Sequence, residues 1–102
     1  MHGLTFKHSH PELLIELSGE IDVRNADEFY ESLSDLYEQY PTNTKLDCEN
    51  LSFIDSSTLG MLVKFLKKLA EHGHKLTLCH LTPNIKRLFT ICRLDMIIKI
   101  ED

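Results

Sequence analysis

Residues 45–70 read Lys45-Leu46-Asp47-Cys48-Glu49-Asn50-Leu51-Ser52-Phe53-Ile54-Asp55-Ser56-Ser57-Thr58-Leu59-Gly60-Met61-Leu62-Val63-Lys64-Phe65-Leu66-Lys67-Lys68-Leu69-Ala70. The hydrophobic period changes within this stretch, and that change decides the fold class. Lys45–Cys48 is short and partly alternating, the pattern of a strand. Asp55-Ser56-Ser57-Thr58 is a run of helix-capping residue types. Beyond it, Leu59, Leu62, Val63, Leu66, Leu69 and Ala70 recur as one apolar stripe of an amphipathic helix. Gly73 stands where that helix should stop.

The same alternation continues outward in both directions. Upstream, Leu4–Lys7 and Leu13–Ser18 read as two strands joined through His10-Pro11. Gly19 then interrupts, and Asn25 with Glu28 has the spacing of a capping box. Ala26, Phe29, Tyr30, Leu33, Leu36, Tyr37 and Tyr40 follow at helical spacing, until Pro41-Thr42-Asn43-Thr44 ends the run. Downstream, Lys75–Cys79 is a strand. Thr82-Pro83 opens a short helix through Ile85, Leu88 and Phe89, and Ile97–Ile100 closes the chain as a strand. Strands that alternate with helices imply right-handed crossovers and a partly parallel sheet. The paired opening strands add an antiparallel edge, so the expectation is an α/β fold with a mixed sheet in one domain, residues 1–102.

Composition excludes several function classes. With 102 residues, 42% hydrophobic and 26% charged, the chain has the balance of one globular domain. No apolar run approaches the ~20 residues of a membrane span, and the first residues lack the pattern of a signal peptide. A soluble cytoplasmic chain is the expectation. The net charge of −5 argues against nucleic acid or anionic lipid as the main partner. Charge is unevenly placed: residues 1–50 carry 3 basic and 11 acidic side chains, residues 51–102 carry 8 and 5. Such asymmetry can steer a protein partner onto one face, although two solvated faces of opposite sign describe it equally simply.

Cys48, Cys79 and Cys92 form no C-x-x-C pair, which points to three small buried hydrophobes in a reducing compartment. His8-Ser9-His10 and His72-Gly73-His74 lack an acidic or cysteine ligand at a diagnostic spacing, so they read as solvated loop histidines and no metal site is expected from them. There is no G-x-S-x-G elbow and no glycine-rich phosphate loop. Composition and spacing indicate neither catalysis nor a bound cofactor.

The segment Asp55-Ser56-Ser57-Thr58-Leu59-Gly60 is where chemistry can occur. A helix start has unpaired backbone N–H groups and a partial positive charge, so a hydroxyl there can carry a phosphate that those groups accommodate. Capping alone explains any one of the four polar residues and explains the cluster less well. The following helix supplies a second expectation. Met61 lies well off the apolar stripe and Phe65 at its flank, so both could join Ser57 and Thr58 in a partner-facing patch. A lone exposed Met61 with a half-buried Phe65 is the simpler alternative.

Leu51-Ser52-Phe53-Ile54-Asp55-Ser56-Ser57-Thr58-Leu59-Gly60 closely resembles the phosphorylation-site segment of bacterial anti-sigma factor antagonists, the small STAS-domain proteins. Gly19-Glu20-Ile21-Asp22 is similar to the family's segment before the first helix. Pro83-Asn84-Ile85-Lys86-Arg87-Leu88-Phe89, continuing through Ile91 and Leu94, is similar to its late helix. The three blocks occur in the family's order across the whole chain. The resemblance implies a sheet flanked by helices, no enzymatic activity, and partner switching. Ser56 would be the phosphoacceptor of an anti-sigma factor that is also a serine kinase, and a metal-dependent serine phosphatase would reverse the modification. The unmodified chain would bind the kinase and free a sigma factor, meeting nucleotide only through that partner.

By the same resemblance Asp22 and Asp55 would lie near Ser56 and, with Ser57, shape the contact surface. Thr58 stands where the family commonly has glycine, a departure that bears on partner fit and kinase recognition. A non-switching scaffold subunit, of a stress-signalling complex or a membrane transporter, is the alternative reading. Self-association stays open.

Overall fold

A computed structural model describes residues 3–101. The outermost residues of the expected 1–102 domain, Met1, His2 and Asp102, therefore lie outside the described residues. The chain runs β1 (Gly3–His8), β2 (Leu13–Ile21), α1 (Ala26–Gln39), β3 (Thr44–Ile54), α2 (Ser56–Ala70), β4 (Leu76–Cys79), α3 (Pro83–Ile91), a 3-10 turn (Leu94–Met96) and β5 (Lys99–Glu101). The five strands lie in chain order in one sheet. The β1–β2 pair is antiparallel and the other three pairs are parallel, which is the expected mixed sheet.

Chain-order parallel strands joined by right-handed crossovers place their helices on one face of the sheet. Alternation along β2 agrees: Leu13, Ile15, Leu17 and Ile21 are buried, while Leu14, Glu16 and Ser18 between them are half-buried. On the helix-covered side these residues join Phe29, Leu33 and Tyr37 of α1, Leu62, Phe65 and Leu69 of α2, and Ile85 and Phe89 of α3 in one core. Lys45, Asp47, Thr77, Cys79, Lys99 and Glu101 share the opposite face by register. That face is polar, with the Lys45 ammonium 2.9 Å from Glu101 and 3.4 Å from Glu12.

Strand β3 is longer than its alternation predicts. Only Thr44–Asp47 have β4 as a neighbour, so beyond Asp47 the strand is paired on the β2 side alone. Glu49, Asn50, Ser52 and Phe53 are accordingly exposed, which hides the strand from a hydrophobicity pattern. Gly19 sits within β2 at φ 79°, a left-handed conformation that suits glycine, at the second of two register shifts between β2 and β3.

The buried arc of α2 differs from the stripe read in the sequence. Thr58, Met61, Leu62, Phe65 and Leu69 are buried, whereas Ala70 is exposed and Leu59, Val63 and Leu66 are half-buried. At about 100° per residue the buried arc is rotated by roughly a quarter turn toward α1. The cause is helix–helix packing. Phe65 meets Tyr37 of α1 edge-on, with ring centroids 6.2 Å apart, and is fully buried. Met61, 6% exposed, fills the same seam beside Ala26 and Tyr30. The expected partner-facing Met61–Phe65 patch is therefore replaced by an internal α1–α2 contact.

Three smaller expectations also change. Asn25 makes no side-chain cap. Its Oδ1 accepts from the Asp22 N–H (3.0 Å) and its Nδ2 donates to the Glu20 carbonyl (3.0 Å), so it braces the turn before α1. Cys92 is exposed at the end of α3, while Cys48 and Cys79 are buried as expected. His74 is no solvated loop residue, since its Nδ1 lies 2.5 Å from the Tyr37 hydroxyl. Burial holds the Tyr37 phenol above its usual range, with the Lys68 charge acting weakly the other way.

Candidate functional site

The site is built where β3 ends and α2 begins. Asp55 is the N-cap, and the capping box forms here rather than at Asn25. The Thr58 N–H donates to Asp55 Oδ1 (3.1 Å), and the Asp55 N–H donates back to Thr58 Oγ1 (3.4 Å). The second Asp55 oxygen, Oδ2, accepts from the Val23 N–H at 3.0 Å. One carboxylate thus holds both the first turn of α2 and the loop that follows β2.

Ser56, the first residue of α2, is exposed, and Ser57 is half-buried at the mouth of a groove between α1 and α2. The exposed hydroxyl stands among the N–H groups that a helix start leaves without intrahelical partners, and the helix dipole favours an anion there. A phosphate can therefore be added at Ser56 without opening the helix.

Thr58 lies elsewhere than its expected place in the contact surface. It is 1% exposed, and its hydroxyl donates to the Ile21 carbonyl at the end of β2. A glycine at this position would lack both that tie and the returning half of the capping box. Thr58 is an internal strut, outside any exposed surface. Thr58→Val keeps the shape while leaving a buried carbonyl unsatisfied, which costs about 2 kcal/mol. The melting temperature should drop by about 10 °C in a thermal unfolding scan; an unchanged value would show that the hydroxyl contributes nothing.

Asp22 is also drawn inward, 7% exposed. Its Oδ1 accepts from the Arg24 N–H (2.9 Å) and Nε (3.0 Å), and its Oδ2 lies 2.5 Å from an Arg24 terminal nitrogen. Asp22 thus orders the 22–25 loop that Asp55 pins to α2, and acts on the site through that loop. Asp55 itself is half-buried. Of the expected contact residues, Ser56 and Ser57 reach the surface, whereas Asp22, Thr58 and Met61 are internal.

Three residues at this end escaped the sequence reading. Val23 is 75% exposed, and Phe53, paired in register with Glu20, is 48% exposed. Both are large exposed apolar groups, Val23 just after β2 and Phe53 near the end of β3. Arg24 is the third. Its guanidinium is held in the cationic form by the hydrogen bond and charge of Asp22, with further support from Glu20 and Asp55. The available signal was local: an apolar and a basic residue directly after Asp22 in a short strand-to-helix loop have no core to enter.

Fold and site together define a small α/β domain that presents a serine hydroxyl at a strand-to-helix junction. The STAS-domain model matches residues 4–102, and the chain belongs to that family. It is 33% identical over 95 residues to the anti-sigma-B factor antagonist of Bacillus subtilis (strain 168), covering 93% of this chain and 86% of that protein. It is 27% identical over 100 residues to the anti-sigma F factor antagonist of Paenibacillus polymyxa, covering 97% and 86%. Among solved structures, the Bacillus cell fate determinant SpoIIAA in its phosphorylated form superposes with a TM-score of 0.71 at 22% identity, over 98% of this chain and 92% of that one. No helix among the described residues is long and apolar enough to cross a membrane.

Proposed function

We propose that this chain is an anti-sigma factor antagonist controlled by phosphorylation of Ser56. The observation that carries the reading is the exposed Ser56 hydroxyl on the first residue of α2, behind the Asp55 capping box. The relatives named above are anti-sigma factor antagonists, and a protein of the same fold exists in a phosphorylated form. In this reading the unmodified surface binds an anti-sigma factor, and a sigma factor is released for transcription. The anti-sigma factor doubles as the serine kinase, and a metal-dependent serine phosphatase restores the active form. The chain performs no catalysis of its own and works in the cytoplasm.

Local electrostatics carries the switch. Phosphorylation adds about −1.5 to −2 charges and three strong acceptors. Within the chain, the amides of the helix start favour that charge against the neighbouring Asp55 carboxylate, so the fold is kept. Across a docked interface the same anion must be desolvated or placed against partner groups arranged for a neutral hydroxyl. The test is a reconstituted transcription reaction inhibited by the anti-sigma factor. Unmodified chain is expected to restore transcription, and Ser56-phosphorylated chain is not. Equal restoration by both forms would refute the switch.

A further inference from the structure

On the sheet face opposite the helices, far from Ser56, three ligand-bearing residues of different chemistry converge. Asp47 lies in β3, Cys79 is its register partner at the end of β4, and His80 follows directly. One carboxylate oxygen, the Cys79 sulfur and one imidazole nitrogen all lie within 4.8 Å of one another. His80 adopts φ 59°, a left-handed conformation uncommon for residues other than glycine, and its Nδ1 lies 3.0 Å from Asp47 Oδ1. The Glu49 N–H, 3.0 Å from the same oxygen, fixes the carboxylate from behind. We infer that Asp47, Cys79 and His80 form a binding site for a divalent transition-metal ion of the zinc class, with water completing the coordination.

The donor set supports that class. Thiolate, imidazole and carboxylate together suit zinc and its cobalt substitute, whereas calcium and magnesium need oxygen ligands throughout. One carboxylate and one thiolate balance the charge of a divalent ion. The nearby cations Lys45 and Lys99 are engaged by Glu12 and Glu101, which limits their repulsion of a metal ion. Binding converts the Cys79 thiol and the ion into a sulfur–metal bond and one released proton. The His80 proton that now faces Asp47 Oδ1 from Nδ1 moves to Nε2, and the freed Nδ1 lone pair takes the ion. No spacing in the sequence announces this set, because the sheet register joins residues 32 and 33 positions apart.

The experiment uses the full chain, cobalt(II) as the added ion and a thermal scan of each variant. One equivalent should give a thiolate-to-cobalt charge-transfer band that zinc abolishes. Cys79→Ser should lose the band. His80→Gln, on an exposed side chain and therefore expected to keep the fold, should weaken binding by at least about tenfold. Cys92→Ser should bind as the native chain does, which separates this site from the exposed thiol. Absence of the band, or its survival in folded Cys79→Ser with undiminished affinity in His80→Gln, would overturn the proposal. Neither result touches Ser56, which lies about 20 Å away along β3.

Discussion

Phosphorylation of Ser56 is expected to weaken binding of the chain to its anti-sigma factor about a thousandfold in a calorimetric titration. Ser56 is exposed on the first residue of α2, so a modifying enzyme can reach it and a docked partner would cover it. Two like charges ~4 Å apart at an effective dielectric near 20 repel by about 4 kcal/mol. At ~1.4 kcal/mol per tenfold, that repulsion corresponds to about three orders of magnitude in Kd. The fold itself should respond little, because the helix-start amides accommodate the added charge locally. The melting temperature should therefore move by only a few degrees while affinity collapses. Retained affinity would remove the electrostatic switch. A large loss of thermal stability would replace it with an order-to-disorder mechanism.

Phe65→Ala should produce the second large effect, and it should appear in stability. The ring is fully buried, edge-on to Tyr37, at the seam of α1 and α2. Truncating a buried phenylalanine costs about 3–5 kcal/mol, a large share of the ~5–15 kcal/mol that holds a domain of this size. The melting temperature should fall on the order of 15–30 °C. Measured at a temperature where the variant is still folded, affinity for the anti-sigma factor should stay near that of the native chain. Loss of binding with an unchanged melting temperature would instead restore Phe65 to the contact surface.

That contrast marks how far the sequence could be read. The change of period at Asp55 is a local event, so cap and helix were legible there, and so was the serine at their junction, whereas β3 was legible only over Lys45–Cys48. The direction in which α2 faces was not. A period reveals that a helix has an apolar side, but Met61 and Phe65 pack against α1 while Leu62 and Leu69 belong to the same buried arc, and only the packing of two helices on one sheet face decides the centre of that arc. Thr58 shows the same limit at the site. Its side chain could equally have faced solvent as a first-turn residue; the nearby end of β2, with the Ile21 carbonyl as acceptor, turns it inward. Asn25 reads as a helix cap and Asp22, by resemblance, as part of the contact surface, yet their partners are Glu20 and Arg24, chosen by the loop path rather than by helix spacing. The Asp47–Cys79–His80 cluster depends on sheet register across β3 and β4, which no single segment encodes.

The central claim is that Ser56, alone among the hydroxyls at the start of α2, is the switch. Phosphopeptide mapping by mass spectrometry, after incubation of the chain with the anti-sigma factor and ATP, tests it most directly. Phosphate on Ser56, abolished by Ser56→Ala, is the predicted result. Phosphate on Ser57 or Thr58, or stable complex formation with no modification at all, would contradict it.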